Sequence, residues 1–254
     1  MLEELKGKTA LVTGASRGIG AATALTLARN GCARVVIHYN SHEEGALQVK
    51  SRVLEAGASC AVLQADLATP AGIRGFRESL RKTAPEVDVL VNNAGFLVQR
   101  SSFIEFPEEL FDRVMDLNFR SAWFVSQECA PSMIKKGWGV IVNLSSIAAR
   151  NGGGPGAAVY SASKAAVACV TKGMAKELAP KGVRVNAVSP GTVDNHFHQV
   201  FSTREMLDNM LKMTPAGKLG TDEEVADTIL FLCSDASRYI HGQTIEINGG
   251  MFMV

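Results

Sequence analysis

Short apolar segments alternate with amphipathic helical segments along almost the whole chain. The first two apolar segments, residues 9–13 and 34–39, enclose a stretch rich in Ala and Leu with helical spacing. Because these segments are apolar at successive positions, they are typical of strands that helices cover on both faces, as in a parallel sheet. The alternation therefore predicts an α/β fold, a doubly wound parallel sheet of the Rossmann-like kind with helices on both faces.

The same pattern places the individual elements. Strands are predicted at residues 9–13, 34–39, 59–65, 87–91, 139–144, 183–188 and 243–248. Helices are predicted at residues 19–30, 43–55, from 70 onwards, from 107 to about 136, 159–179 and 222–233. No Pro/Ser-rich linker or repeat of fixed period divides the sequence, so we expect one dinucleotide-binding and catalytic domain over residues 1–254.

Residues 194–215 depart from the alternation. The segment is polar, amphipathic and rich in methionine, and we expect it to be a substrate loop because loops on a rigid scaffold often carry specificity. His196 and His198 lie near its start. Two histidines alone are more often loop residues or substrate contacts than metal ligands, so we expect no metal site.

Composition excludes several classes of protein. Lys and Arg number 26 against 25 Asp and Glu, a net charge of +1, whereas general nucleic-acid binding needs a surplus of cations. The five cysteines include no CxxC pair, which argues against a disulfide framework or a zinc site. No apolar run approaches the ~20 residues of a membrane span, and residues 1–8 lack a signal-peptide core. We expect a cytoplasmic protein with no nucleic-acid or membrane partner.

Three glycines, Gly14, Gly18 and Gly20, join the first strand to the first helix. Glycines in such a turn let backbone N–H groups approach a diphosphate at the positive end of the helix. The loop therefore predicts a dinucleotide site. Further candidates for cofactor contact within it are Ser16, Arg17 and Ile19.

The end of the second strand indicates which dinucleotide binds. An NAD site usually has an acidic residue there for the ribose hydroxyls, whereas this strand ends in His-Tyr-Asn-Ser at residues 38–41. Arg17 can meet a 2′-phosphate through charge-assisted hydrogen bonds, with Asn40 and Ser41 close by. NADP(H) is therefore favoured, and NAD(H) stays an alternative because Glu43 follows shortly after.

Tyr160 and Lys164 lie four residues apart in a helical pattern, so their side chains share one face. A neighbouring ammonium lowers the pKa of a tyrosine, which suits proton transfer to or from a carbonyl oxygen. Ser146 follows the fifth strand, at the carboxyl edge where such sheets bind ligands. Its hydroxyl can hydrogen-bond a substrate oxygen.

Together these motifs, in this order, closely resemble the short-chain dehydrogenase/reductase family. They are TGxxxGxG at residues 13–20, NNAG at 92–95, Asn118, Ser146, YxxxK at 160–164 and Pro-Gly at 190–191. The resemblance covers residues 8–250. Within the family it is nearest to 3-oxoacyl-[acyl-carrier-protein] reductases, at residues 13–20, 143–146 and 247–250.

The resemblance implies a role for each motif. Tyr160 is expected to be the general acid/base, Lys164 to lower its pKa and hold the nicotinamide ribose, and Ser146 to orient the substrate carbonyl. Asn118 is expected to support a water that leads to Lys164. Further cofactor contacts are implied for Tyr160 itself and for Asp66, Leu67, Asn93, Ala94, Gly95, Pro190, Gly191 and Val193.

Two positions depart from the family pattern. Ser146 lies one residue farther from Tyr160 than is common, and we choose it over Ser145 by motif alignment. Asn195 occupies the position of a threonine that follows Pro-Gly in the family, where its amide can still hydrogen-bond the cofactor with altered geometry.

The resemblance implies an NADPH-dependent oxidoreductase that reduces a ketone to a secondary alcohol. The first expectation for the substrate is a 3-oxoacyl thioester, free or bound to an acyl carrier, and the alternative is a sugar, uronate or polyol. A non-catalytic NADP-binding regulator is a remote alternative. Family members are often homotetramers, so we expect a homotetramer or a homodimer in which the apolar tail, residues 251–254, packs at an interface.

Overall fold

The computed structural model describes residues 2–254 and contains one parallel sheet of seven strands in the order β3-β2-β1-β4-β5-β6-β7. This confirms the predicted fold class. The strands are β1 Thr9–Val12, β2 Arg34–Tyr39, β3 Ser59–Gln64, β4 Val89–Asn92, β5 Gly139–Leu144, β6 Val183–Pro190 and β7 Thr244–Ile247. Each lies within two residues of its predicted position.

Helices connect the strands and cover both faces of the sheet. They are α1 Gly18–Arg29, α2 Glu43–Glu55, α3 Pro70–Thr83, α4 Glu108–Met115, α5 Ser121–Lys136, α6 Ala148–Asn151, α7 Ala158–Leu178, α8 His196–Phe201, α9 Arg204–Lys212 and α10 Asp222–Cys233. In the described part of the chain, residues 2–254, none of these helices has the length and apolar character that a membrane span requires.

Successive strand residues point to opposite faces, and each face has its own apolar core. On one face, Val12 and Ile37 belong to a core that also contains residues of α1, α2 and α10. On the other face, Leu11 and Val36 pack with residues of α3, α5 and α7. The strands are therefore apolar throughout because helices bury both of their faces.

The segment predicted as a substrate loop folds into two helices, α8 and α9. Asn195 and Thr203 begin them, since each side chain accepts a hydrogen bond from a free backbone N–H in the first turn. Two of the polar residues in the segment are thus helix caps, and most of the others lie within the two helices. The single-domain expectation stays a prediction, and its first residue, Met1, lies outside the described residues.

The long predicted helix from residue 107 to about 136 is interrupted. Between α4 and α5 the chain makes a π-helical turn over Asp116–Arg120. Such turns are rare and occur often at functional sites, and this one contains Asn118. The short helix α6, which follows β5, has no counterpart in the sequence-based assignment.

The order of the strands reverses at β1, which pairs with β2 on one side and with β4 on the other. Connections from these neighbouring strands leave towards opposite faces, so a crevice opens beyond their carboxyl ends. The turn from β1 to α1 lies at this crevice. Gly20, in the first turn of α1, packs so closely there that a Cβ would overlap the Gly14 carbonyl oxygen and lie 2.5 Å from the Asn93 amide nitrogen.

We therefore predict that Gly20→Ala destabilises the protein by about 1–3 kcal/mol, because the added methyl group has no room. Gly75→Ala is the matched control: it is also a glycine within a helix, but nothing lies within 4 Å of its added Cβ. This control should stabilise the protein by about 0.5–1 kcal/mol through lower backbone entropy in the unfolded chain. Urea unfolding measures both changes, and equal effects of the two substitutions would contradict the packing argument.

Candidate active site

A cleft of about 760 Å³ lies at the carboxyl edge of the sheet. The glycine loop of β1 forms one end of the cleft, and the ends of β4, β5 and β6 form its floor. Helices α8 and α9 contribute the opposite wall through residues such as Phe197 and Met210. The position agrees with the general rule that ligands bind at the point where the strand order reverses.

The turn after β4 holds the glycine loop in place. Thr13 Oγ1 accepts hydrogen bonds from the backbone N–H groups of Asn93 and Ala94, at 3.1 and 3.0 Å. In return, Asn93 Nδ2 donates to the carbonyl oxygens of Thr13 and Gly14, at 2.8 and 2.9 Å. Gly14 has a φ of +64°, and a Cβ there would lie 2.9 Å from Ala94 Cα. Only glycine fits this approach without strain.

Most of the residues predicted to contact a cofactor line the cleft. They are Gly14, Ser16, Arg17, Gly18, Ile19, Asn40, Ser41, Asp66, Asn93, Ala94, Gly95, Tyr160, Lys164, Pro190, Gly191 and Val193. Two others do not line it. Gly20 lies beneath the loop, and the side chain of Leu67 is 1% exposed within the core below α3. The Leu67 side chain packs in a core cluster with residues of α3, so a cofactor contact of Leu67 could be made only by its backbone and stays a prediction.

Tyr160 and Lys164 project from α7 into the cleft. Lys164 is 4% exposed, and its Nζ donates to the Leu144 carbonyl oxygen at 2.9 Å while lying 5.8 Å from the centroid of the Tyr160 ring. Gly95 makes this position available: a Cβ there would lie 2.6 Å from Lys164 Nζ and 2.7 Å from Asn118 Oδ1. The glycine of the NNAG motif thus lets the ammonium and the amide approach the end of β4.

Burial shifts the pKa values of both groups. It raises the pKa of Tyr160 to about 12, although the nearby Ser146 hydroxyl acts in the opposite direction. It lowers the pKa of Lys164 to about 8. The direction is opposite to the sequence-based expectation of a lowered tyrosine pKa, because removal of the phenol from water outweighs the hydrogen bond with Ser146.

The two serines after β5 have different surroundings. Ser145 is buried, and its Oγ donates to the backbone carbonyl oxygen of Lys164 at 2.9 Å. Ser146 is partly exposed to the cleft, where its Oγ accepts the backbone N–H of Ala148 at 3.1 Å and keeps its proton for another partner. This arrangement favours Ser146 as the substrate-facing hydroxyl.

Asn118 does not line the cleft but lies directly behind it. From the π-helical turn, its Oδ1 accepts the N–H of Phe96 at 3.1 Å, and its Nδ2 donates to the carbonyl oxygens of Phe96 and Val114, both at 2.9 Å. The side chain therefore anchors the segment after β4. Its expected role in a water relay stays a prediction.

An aromatic wall, which the sequence analysis missed, faces Tyr160. Its members are Phe96, Phe197 and Phe201, with ring centroids 4.6–5.6 Å apart. The Phe197 ring lies 5.7 Å from that of Tyr160. The available signal was the spacing of Phe197 and Phe201, four residues apart, which places them on one helix face.

The segment after NNAG connects two elements on the predicted substrate side of the cleft, α8 and the loop before α7. Within residues 2–254, Val98 is the one non-glycine residue with a positive φ, +67°, a conformation that strains a β-branched residue. Arg100 follows it and donates to the carbonyl oxygens of Phe201 and Pro155, at 3.1 and 2.7 Å. It thereby joins α8 to the glycine-rich loop before α7.

The remaining polar residues at the mouth have protein partners. Asn195 Nδ2 donates to Asp222 Oδ1 at 2.7 Å and Asn195 Oδ1 accepts the N–H of Phe197, which leaves the second N–H of the amide for the predicted cofactor contact. His196 stacks on Phe96 at 6.3 Å, and His198 Nδ1 shares a hydrogen bond with Ser202 Oγ at 2.8 Å. Over the described residues, 2–254, no three His, Cys, Asp or Glu side chains are grouped as metal ligands.

Known proteins resemble the chain over nearly its full length. A family model described as enoyl-(acyl carrier protein) reductase matches residues 14–252. The 3-oxoacyl-[acyl-carrier-protein] reductase FabG of Staphylococcus aureus is 38% identical over 246 residues, which are 97% of this chain and 98% of the relative.

Solved structures are similar to the same extent. A protein assigned as an NAD(P)-dependent gluconate 5-dehydrogenase from Beutenbergia cavernae, with bound NADP, is 36% identical, has a TM-score of 0.90 and is matched over 97% of both chains. A gluconate 5-dehydrogenase from Burkholderia cenocepacia in complex with NADP and tartrate is 33% identical, with a TM-score of 0.87 over 97% of this chain and 96% of the other.

The buried ammonium of Lys164 yields a stability prediction. Its pKa is about 8 in the folded protein against an ordinary value of 10.5, and each unit of difference corresponds to about 1.4 kcal/mol. Lys164→Met should therefore raise the free energy of unfolding at pH 7, by about 1–2 kcal/mol once the lost hydrogen bond is subtracted.

The pH dependence of this gain has a definite sign. Between pH 8 and 10.5 the folded wild type loses the Lys164 proton before the unfolded chain does, so wild-type stability rises with pH and the gain narrows. Urea unfolding at pH 7 and pH 9.5 measures this. The control is Lys172→Met, because Lys172 is an exposed lysine on the same helix. Its difference in unfolding free energy from wild type should be the same at both pH values. If the difference between Lys164→Met and wild type were also the same at both pH values, the prediction would be contradicted.

Proposed function

The chain belongs to the short-chain dehydrogenase/reductase family, and we propose that it is an NADPH-dependent oxidoreductase that reduces a ketone to a secondary alcohol. One observation carries the proposal. Ser146, Tyr160 and Lys164 meet at one end of a cleft whose other end is the glycine loop. A dinucleotide that spans the cleft would bring its nicotinamide to the hydroxyl groups.

The glycine loop and its surroundings fit a dinucleotide. Close packing of Gly14 leaves no side chain between the turn and the cleft, and α1 begins at Gly18 with its positive end facing the same space. Arg17 lines the cleft together with Asn40 and Ser41, so a 2′-phosphate would meet a cation and two polar side chains after β2. The carboxylates in this region, Glu43 and Asp66, have protein partners in Tyr39 and Asn40. When bound, NADPH supplies the hydride.

Residues of the chain would donate the proton and bind the carbonyl oxygen of the substrate. Because the pKa of Tyr160 is about 12, the phenol is neutral at pH 7 and can donate its proton to a ketone oxygen. Ser146 would hold the same oxygen through a hydrogen bond. Lys164, with a pKa of about 8, is charged at pH 7 and would stabilise the phenolate left after transfer.

The aromatic wall favours a 3-oxoacyl thioester as the substrate. Phe197 lies beside Tyr160 and Phe96 packs against Phe197, and the same cleft is lined by Met210, Met213 and Met251. Apolar and flexible side chains of this kind suit an acyl chain. The similarity to FabG agrees with this choice.

A sugar, uronate or polyol is the second candidate, and two observations favour it. The similar solved structures include gluconate 5-dehydrogenases. In addition, Asn151, His196 and His198 line the cleft and could hydrogen-bond hydroxyl groups. Arg113 lines it from the exposed face of α4, where it suits an anionic carrier or a carboxylate.

Partners are part of the same proposal. An acyl carrier protein would deliver a thioester past Arg113 to the mouth of the cleft. A homotetramer or homodimer would cover apolar groups at the end of the chain, where Met253 and Val254 are largely exposed in the monomer.

Tyr160→Phe should abolish ketone reduction, by at least about a hundredfold in kcat, because it removes the proton donor. NADPH binding, measured by fluorescence titration, should persist, because the ring of residue 160 and the other predicted cofactor contacts remain. The control is Tyr239→Phe, whose ring is 97% exposed. Turnover is measured on acetoacetyl-CoA and, in the oxidative direction, on gluconate.

The outcomes of this experiment separate the candidates. Faster turnover of acetoacetyl-CoA than of gluconate supports the thioester, and the reverse supports the sugar class. Wild-type binding of NADPH without turnover of any ketone would favour the non-catalytic regulator. Full activity in Tyr160→Phe would refute the proposed mechanism.

Arg17→Ala should weaken NADPH binding about 10- to 100-fold, because a charged hydrogen bond to phosphate contributes about 1.5–3 kcal/mol. NADH binding should be unchanged, since NADH has no 2′-phosphate. Arg29→Ala is the control for net charge, because Arg29 is an exposed arginine at the end of α1, the helix that begins directly after Arg17. A wild-type preference for NADH, or equal losses for both cofactors in Arg17→Ala, would contradict the assignment of NADP(H).

A further inference from the structure

His38, the residue before the end of β2, contacts the glycine loop from the side opposite to Asn93. It is 2% exposed. Its Nδ1 lies 3.0 Å from the backbone nitrogen of Gly14, which donates to it, and its Nε2 lies 3.0 Å from the Ala65 carbonyl oxygen. The imidazole therefore bridges the glycine loop to the end of β3.

These two partners determine the protonation state of the ring. The Gly14 N–H needs an acceptor, so Nδ1 carries no proton, and Nε2–H must then donate to Ala65. The edge contact with Phe76, at 4.9 Å between ring centroids, adds an apolar neighbour. Burial lowers the pKa of His38 to about 4, against the opposing influence of the Ala65 carbonyl and the Asp66 carboxylate. The imidazole is thus neutral at neutral pH, as the hydrogen bonds require.

The backbone of the same residue completes the contact. The His38 carbonyl oxygen accepts the N–H of Ala15 at 2.8 Å, so His38 holds the two successive N–H groups of Gly14 and Ala15. Asn93 holds the carbonyl oxygens of Thr13 and Gly14 from the other side. The two peptide groups on either side of Gly14 are therefore held from both sides, and the residues that follow, Ser16, Arg17 and Gly18, line the cleft.

We propose that His38 is a positioning residue for cofactor binding: its neutral imidazole orients the Gly14 peptide so that the loop is preformed for a diphosphate. The inference rests on the proposed use of a dinucleotide. The expected effects of His38 and Arg17 on cofactor binding differ. The diphosphate is common to NADPH and NADH, so His38 should affect the binding of both, whereas Arg17 should affect only NADPH, which carries the 2′-phosphate.

A pair of amide variants separates the two hydrogen bonds of the ring. In His38→Asn, the shorter side chain can place Oδ1 near the position of Nδ1 and keep an acceptor for Gly14. In His38→Gln, the longer side chain can place its amide near Nε2 and keep the donor for Ala65 but not the acceptor. Both replacements are polar and uncharged, so they differ mainly in which bond survives.

The experiment measures Kd for NADPH and for NADH by fluorescence titration at pH 8, and kcat and KM on acetoacetyl-CoA. His38→Gln should weaken both cofactors by the same factor, about tenfold, as expected when a buried N–H loses its acceptor. Its kcat at saturating NADPH should stay within about twofold of wild type, since the residue does not touch the reacting atoms. His38→Asn should stay within about threefold of wild type in both Kd values.

Other results overturn the inference. Unchanged Kd values in His38→Gln, a loss confined to NADPH, or equal losses in the Asn and Gln variants would each contradict a role for the Gly14 hydrogen bond. Circular dichroism and thermal melts establish that the variants are folded. If His38→Gln does not fold, His38→Asn decides alone: a Kd about tenfold above wild type for either cofactor overturns the inference. Failure of the wild type to bind either dinucleotide would instead refute the proposed function.

Discussion

The contact between the turn after β1 and the turn after β4 is the constraint on which the cleft depends. These turns are about 80 residues apart in sequence, and they meet because β1 and β4 are neighbours at the point where the strand order reverses. Thr13 and Asn93 exchange hydrogen bonds across the junction. Two residues beyond Asn93, Gly95 leaves space for Lys164 and Asn118. One junction therefore supports both the diphosphate end and the proton-transfer end of the cleft.

Close packing at this junction has an energetic consequence on the catalytic side. Lys164, which lies close to Gly95, is 4% exposed and has one hydrogen bond, to the Leu144 carbonyl oxygen, in exchange for its hydration. A buried ammonium destabilises the fold. Burial also raises the pKa of Tyr160 to about 12, so the phenol, which is protonated at pH 7 even at its ordinary pKa, stays protonated at higher pH as well. The site is thus suited to donate a proton at pH 7, and a bound substrate would find the donor already in its required form.

Local sequence signals were sufficient for the strands and most helices, because a strand buried on both faces is apolar at every position. They failed where a polar residue serves a helix. Asn195 and Thr203 begin α8 and α9, although their neighbourhood has the composition of a loop. The π-helical turn at Asp116–Arg120 was also missed, because one inserted residue shifts the helical periodicity without changing composition.

In the candidate site, too, local sequence signals predicted some features and missed others. Spacing placed Tyr160 and Lys164 on one helix face, but the direction of the tyrosine pKa shift depends on groups that arrive from other elements, among them Phe197 of α8 and the end of β5. The aromatic wall joins residues about a hundred positions apart, Phe96 and Phe197, and His38 meets Gly14 across two strands. Short sequence motifs therefore identify the reaction class. The burial of the catalytic side chains and the shape of the substrate cleft arise only when segments distant in sequence pack together. The choice between a thioester and a sugar depends on that second kind of contact.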